Sequence, residues 1–339
     1  MYGTDHSTAM PKTGRIATNA ALTGPLAHGT GTTGTTTLLA PAVPKQLVHK
    51  NAAHEVLLTG WRPTGPSAYR VSARWPRRHR IYGARRGLHD PQLLLETIRQ
   101  TFPLLSHAVF DVPLGHQLIW DQFSYALVPE GLSVDAPGGE EVELDVVCQD
   151  LRRRGTRVTA LTLAYVVSRA GVPLATAQSR FTVQTPAVYQ RLRAGRGDAP
   201  QQMSRAVPLT FPIPAARAGR SAPRDVTLAA TDRSHRWQLR VDTAHPAYFD
   251  HPVDHVPGAL LLDAAGQAAQ ALACPAPVLA VAMECEFSHY VELDRPCWVE
   301  ALTLLPDSTR RDRARVTFQQ GAEDPSCALT VTLAPFPRD

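Results

Sequence analysis

The segment richest in potential chemistry is Tyr248-Phe-Asp-His251-Pro-Val-Asp254-His255-Val-Pro-Gly258, which runs on into Ala-Leu-Leu-Leu-Asp263-Ala-Ala-Gly-Gln267. Imidazoles such as His251 and His255 exchange protons near neutral pH, and Asp254 stands between them. Pro257 and Gly258 mark a helix start. The first N–H groups of a helix lack intrahelical acceptors and carry the positive end of its dipole, so they can polarise a thioester carbonyl. Asp263 falls inside an apolar helical run, where a carboxyl has to be paired, protonated or kept for function. Two other readings stay open here. The three polar residues could be an ordinary loop and cap, or His251 and His255 could share a metal at their i,i+4 spacing. Pro252 and Pro257 argue for a loop, in which that spacing fixes no geometry.

The elements that must hold these residues occur twice. Pro91-Gln-Leu-Leu-Leu-Glu96-Thr-Ile-Arg-Gln100 matches Gly258-Ala-Leu-Leu-Leu-Asp263-Ala-Ala-Gly-Gln267 in its three leucines, its acid and its glutamine. Downstream, Gln122-Phe-Ser124 recurs as Glu286-Phe-Ser288. Two matched blocks in the same order point to an internal duplication. After each helix come alternating or continuous apolar runs that read as strands. In the first half these are 108–112, 117–127, 141–149, 157–168 and 174–184; in the second, 278–287, 298–305, 314–319 and 328–333. A long helix, apolar on most of its surface and enclosed by an antiparallel sheet, makes each half an α+β unit.

Composition bounds the rest. The chain has 339 residues, 44% of them hydrophobic and 19% charged, which suits about two globular domains rather than disorder. Residues 1–45, with Gly29 to Thr37 almost wholly Gly and Thr, read as a disordered low-complexity tail. Residues 46–195 form the first repeat, 196–225 a Pro/Gly-rich linker and 226–339 the second repeat. No run reaches the ~18 apolar residues of a membrane helix, and no signal peptide is evident. Five cysteines without CxxC spacing suggest reduced thiols and a cytoplasmic protein. The net charge is +5 and rests almost wholly on Arg. No nucleic-acid-binding signature accompanies it. The run Arg74, Arg77, Arg78, Arg80, Arg85, Arg86 is either a solvated face, a phosphate site or a docking site for an acidic partner.

His-Pro-x-Asp-His-Val-Pro-Gly followed by the acid- and Gln-bearing helix resembles the hotdog fold in its acyl-carrier-protein dehydratase branch. Taken with Val48-His49-Lys50, His89-Asp90-Pro91…Glu96-Thr-Ile-Arg99-Gln100 and Val112-Pro-Leu-Gly-His116-Gln, the chain is similar to the AfsA-like, A-factor (γ-butyrolactone) biosynthesis proteins. The resemblance covers about residues 46–185 and 226–335. It implies a double hotdog and transfer of a β-ketoacyl group from acyl carrier protein to the hydroxyl of dihydroxyacetone phosphate, on the way to butyrolactone or furan-type signals. It also implies catalytic Glu96, Asp263, His251 and His255, with Arg99, Gln100, His89, Gly258 and Gln267 binding substrate. No metal and no organic cofactor are expected, and a fused pair of hotdogs suits a monomer or homodimer without nucleic-acid or membrane partners. Glu96, in apolar surroundings that raise its pKa, would be the base. The second repeat departs from the pattern, with Asp263 in place of Glu and Gly266 in place of Arg. A dehydratase or thioesterase on the same fold, or a non-catalytic acyl or lactone binder, are the alternatives.

Overall fold

A computed structural model describes residues 43–136, 138–321 and 324–336; the tail expected over 1–45 therefore lies almost entirely outside the described residues. Twelve strands form one sheet: β1 Leu58–Gly65, β2 Ala68–Arg74, β3 Gln117–Leu127, β4 Glu141–Arg154, β5 Arg157–Arg169, β6 Val172–Gln184, β7 Leu228–Ala230, β8 Arg236–Leu239, β9 Val278–Phe287, β10 Trp298–Leu304, β11 Asp312–Gln319 and β12 Cys327–Pro335. Their order is β1-β2-β4-β5-β6-β3-β9-β12-β11-β10-β8-β7. Read from the two edges inward, the halves are the same, so the duplication inferred from sequence is a duplication of topology. The seam is the antiparallel pair β3–β9, running from Gln122 opposite Glu286 to Ala126 opposite Ala282. The two copies of the repeated tripeptide thus meet at the junction.

Helix α1 (Pro91–Ala108) begins where Asp90 accepts a hydrogen bond from the N–H of Gln92 at 2.9 Å and Pro91 fixes the first turn. Leu93, Leu94, Leu95, Ile98, Leu104 and Leu105 are all buried. Each such side chain contributes about 1.5–3 kcal/mol by leaving water. Polar atoms inside this core are paired: Thr97 Oγ1 donates to the Leu93 carbonyl and accepts from the Trp75 indole. Two short helices follow, α2 (Pro186–Arg193) and α3 (Ala199–Ser204), and then α4 (Gly258–Ala273), buried through Leu260, Leu261, Leu262 and a run of alanines. Small alanines let α4 lie close to its strands.

One sequence expectation needs revision. The apolar run 108–112 is the end of α1 and the turn after it, because Val109 and Phe110 N–H groups still bond to the Leu105 carbonyl. The stretch 196–225 holds α3 and two single-turn 3₁₀ helices, Ala215–Ala218 and Pro223–Asp225, and its Arg220 is buried. None of the described helices is long and apolar enough to cross a membrane.

Candidate active site

A cavity of about 780 Å³ opens between the repeats. The first repeat contributes His49, Lys50, Glu96, Arg99, Phe102 and Trp120; the second contributes His251, His255, Gly258, Leu261 and Phe287. Its middle is apolar and aromatic, with Trp120 stacked on Phe287 at 5.3 Å between ring centres.

On the cavity lining, Glu96 sits in a ring of donors. Arg99 approaches it bidentately, Nε at 2.7 Å and Nη2 at 2.8 Å. The Gln100 amide donates at 2.8 Å and Lys50 Nζ lies at 3.0 Å. Burial pushes this carboxyl up, yet the charges of Arg99 and Lys50, with hydrogen bonds from Arg99 and Gln100, outweigh burial and hold it well below the ordinary carboxylate range. The expected rise toward neutrality is therefore corrected: apolar neighbours do not set this pKa when two cations touch the group. His49, in the left-handed region at φ 53°, points Nε2 at His107 Nε2, 2.8 Å away. His107 Nδ1 lies 2.7 Å from the Val112 carbonyl, which can only accept. His107 Nε2 is then the acceptor and His49 the donor. Burial, then the nearby His107 and Arg99, lower His49 from 6.5 to about 3, so it is a neutral imidazole. The second repeat adds Asp250, which accepts from the N–H groups of Asn51 at 2.5 Å and Ala52 at 2.9 Å. His251 stands beside it, its side chain 42% exposed.

Elsewhere on the lining, His255 Nδ1 donates to Asp254 at 2.7 Å. Asp254 also accepts from the Tyr189 hydroxyl at 2.8 and 2.9 Å and from Arg193 Nε at 3.0 Å. Burial raises this carboxyl, but His255, Tyr189 and Arg193 prevail and bring it from 3.8 to about 2. The start of α4 also borders the cavity. No side chain caps it, unlike α1, and Pro257, Gly258 and Ala259 line the cavity. A Cβ on Gly258 would stand 3.1 Å from the Trp120 ring and 3.4 Å from Phe287, so glycine lets the helix start reach these rings.

The second repeat repeats the polar machinery but not the opening. Gln267 donates to Asp263 and to the Asp225 carbonyl and accepts from Thr227 N–H, as Gln100 does with Glu96, Glu55 and Leu57. Asp263, however, is 1% exposed and bonded to Arg220 and Tyr248. Arg220 bridges it to Asp90, 2.8 Å from the other nitrogen. Asp263 and Gln267, expected among the site residues, do not line the cavity; a guanidinium from outside the helix fills their space. Arg220 follows the left-handed Gly219 as Lys50 follows the left-handed His49, so it also supplies the charge missing at Gly266. His89 does not reach the cavity either, since its ring packs edge-on against Trp75 at 5.3 Å. Gln100 bonds to Glu96 without lining the cavity, and Gly258 and Arg99 line it.

None of the six arginines in the run 74–86 lines the cavity. Arg74 pairs with Glu141, Arg77 with Glu140, and Arg85 bonds to the Gly219 carbonyl. Sequence reasoning missed Tyr189, Arg193 and Arg220. It also missed a third repeated block, His79-x-x-Tyr82 and His245-x-x-Tyr248, in which each imidazole stacks on its tyrosine and faces Glu55 or Asp225 at 3.5 and 3.4 Å. As for a metal, His251 and His255 turn to different aspartates in a loop, 3.7 and 2.7 Å away.

Residues 32–185 and 201–336 each match the A-factor biosynthesis hotdog domain, AfsA. The chain is 46% identical over 280 residues to the 2-oxo-3-(phosphooxy)propyl 3-oxoalkanoate synthase of Streptomyces virginiae, covering 82% of this chain and 93% of that protein. It is 37% identical to the synthase of the same name from Streptomyces coelicolor, covering 86% and 91%. Among solved structures, a Lactobacillus plantarum protein assigned as an oleoyl thioesterase superposes with a TM-score of 0.50 at 15% identity, over 81% of this chain and 99% of that one, a likeness of fold alone.

Proposed function

The chain belongs to the A-factor biosynthesis hotdog family, and on that premise we propose that it joins a 3-oxoacyl group to the free hydroxyl of dihydroxyacetone phosphate, giving a 2-oxo-3-(phosphooxy)propyl 3-oxoalkanoate. The observation that carries this reading is the 46% identity with a synthase of that name, and the cavity suits the reaction. The acyl donor is a thioester on acyl carrier protein. Its chain lies along the aromatic middle of the cavity, and its carbonyl faces the uncapped start of α4, whose N–H groups and dipole stabilise the oxyanion. The acceptor's phosphate goes to the cations beside Glu96. Arg99 and Lys50 form the cationic pair, with His49 and His251 beside them, and Glu96 fixes both cations in place. In the reaction the acceptor hydroxyl loses its proton, the new C–O bond forms at the carbonyl carbon, and the C–S bond breaks to release the carrier thiol. Held well below the ordinary range, Glu96 is a weak base; it acts here through the cations it orients.

The test is mass spectrometry of the product from a defined 3-oxoacyl carrier thioester and dihydroxyacetone phosphate. A phosphorylated ester is expected. Free 3-oxo acid, or an enoyl thioester formed from a 3-hydroxyacyl carrier, would replace this reading with a thioesterase or dehydratase.

A further inference from the structure

We infer that His255 is the general base for the acceptor hydroxyl and that Asp254 is its positioning residue, held in turn by Tyr189 and Arg193 of α2. This rests on the ester-forming reaction proposed above. The geometry is that of an oriented imidazole. Asp254 accepts from His255 Nδ1 at 2.7 Å, and because a carboxylate can only accept, the proton sits on Nδ1. With one proton on Nδ1, the lone pair available for a second is on Nε2, and the ring lines the cavity.

The carboxylate is itself fixed from three sides. The Tyr189 hydroxyl lies within 2.9 Å of both its oxygens, and Arg193 reaches one oxygen at 3.0 Å and the Asp254 backbone carbonyl at 3.1 Å. Arg193 is anchored by Glu292 at 2.7 and 2.9 Å and covers the Tyr290 ring at 4.3 Å. Tyr290 closes the shell edge-on against His255, 4.7 Å between ring centres. Side chains from α2, from the loop before α4 and from the loop after β9 thus converge on one imidazole. A loop needing only stability would not require a buried Arg–Asp–Glu array, because removal from water offsets most of what such ion pairs gain. During the step, Nε2 takes the hydroxyl proton as the oxygen attacks. The imidazolium, balanced by Asp254, returns that proton to the departing thiolate, so the ring ends neutral.

The experiment measures initial rates of ester formation from a 3-oxoacyl carrier thioester and dihydroxyacetone phosphate for the full chain, His255→Ala, Asp254→Asn and the double variant. His255→Ala should lower kcat by about 10²-fold or more, the range for a lost general base. Added imidazole should restore part of that rate, since the cavity has room for it. Asp254→Asn should lower kcat at least tenfold with KM little changed, and should cost nothing further in the His255→Ala background. Equal losses from Asp254→Asn in both backgrounds, or no rescue by imidazole, would overturn the assignment. Should Asp254→Asn fail to fold, Tyr189→Phe removes one donor and keeps the charge; a few-fold loss of kcat confined to the His255-containing protein is then expected, and a loss in both backgrounds refutes. Wild type that makes ester while His255→Ala matches its rate removes only the base; wild type that makes no ester removes the reaction.

Discussion

Glu96 and Asp263 are each the sixth residue of their helices, α1 and α4, and each accepts a hydrogen bond from the glutamine four residues on, yet only Glu96 faces the cavity. Around Asp263, Arg220 and Tyr248 occupy the room that remains open beside Glu96. The two acids should therefore respond differently to the same change.

Glu96→Gln is expected to raise KM for dihydroxyacetone phosphate and to lower kcat/KM by about 10²-fold or more. The change releases Arg99 and Lys50 from their fixed geometry. It also leaves two buried cations without their anion, at a cost of about 3–5 kcal/mol, part of which inorganic phosphate should restore. Thermal melts with and without phosphate, beside steady-state kinetics, check both halves. A variant with unchanged KM would separate Glu96 from the acceptor.

Asp263→Asn should behave in the opposite way. Stability falls by about 3 kcal/mol as Arg220 loses one of two buried carboxylates, while kcat and KM per folded molecule stay near wild type. Denaturant midpoints and active-fraction-corrected rates decide it; a drop in kcat beyond twofold would return the second repeat to the chemistry.

Gly258→Ala brings a methyl to 3.1 Å from Trp120. Overpacking of this kind costs about 1–3 kcal/mol. Because the ring that must yield borders the start of α4, the rate should fall about tenfold with a smaller change in Tm. Kinetics with a short and a long acyl donor would show the longer chain suffering more.

Acid should destabilise the protein in two stages. Burial lowers His49 to about 3 and His89 to about 4, from 6.5. Between those values the unfolded chain binds the protons that the folded one refuses, so stability is full above about pH 6.5 and declines as pH falls toward 4. Asp254 has the depressed value of a paired carboxylate, about 2 against 3.8, and its contribution disappears between about pH 4 and 2. Urea midpoints should hold level from pH 8 to about 6.5 and decline from there to pH 3, and His89→Gln should flatten the upper stage. A midpoint constant from pH 7 to 5 would contradict the buried neutral histidines.

Much of the architecture could be read from the chain before its coordinates. The bounds expected for the strands at 117–127 and 278–287 are those of β3 and β9, since both alternate or run apolar without a break. Both helix starts were marked by proline or glycine. Of the outer strands that escaped, β1, Leu-Thr-Gly-Trp-Arg-Pro-Thr-Gly, is half exposed and carries no apolar period; β2 alternates buried Tyr69, Val71 and Ala73 with polar or small residues, and β7 and β8 are only three and four residues long. The cavity was legible in part. Glu96, Arg99, His251, His255 and Gly258 line it, but the groups that set their chemistry are remote in sequence: Tyr189 lies 65 residues from Asp254, and Arg220 lies 43 from Asp263. The arginine run left three readings open because charge density in sequence does not say which guanidinium has a carboxylate across the sheet.

The pairing of β3 with β9 has one more effect. Glu96 and His255 come from different repeats, but a single covalent chain and a continuous sheet hold them together. Dilution cannot separate them, as it would separate two unlinked subunits. Specific activity should thus remain level down to the lowest enzyme concentration at which product is detectable.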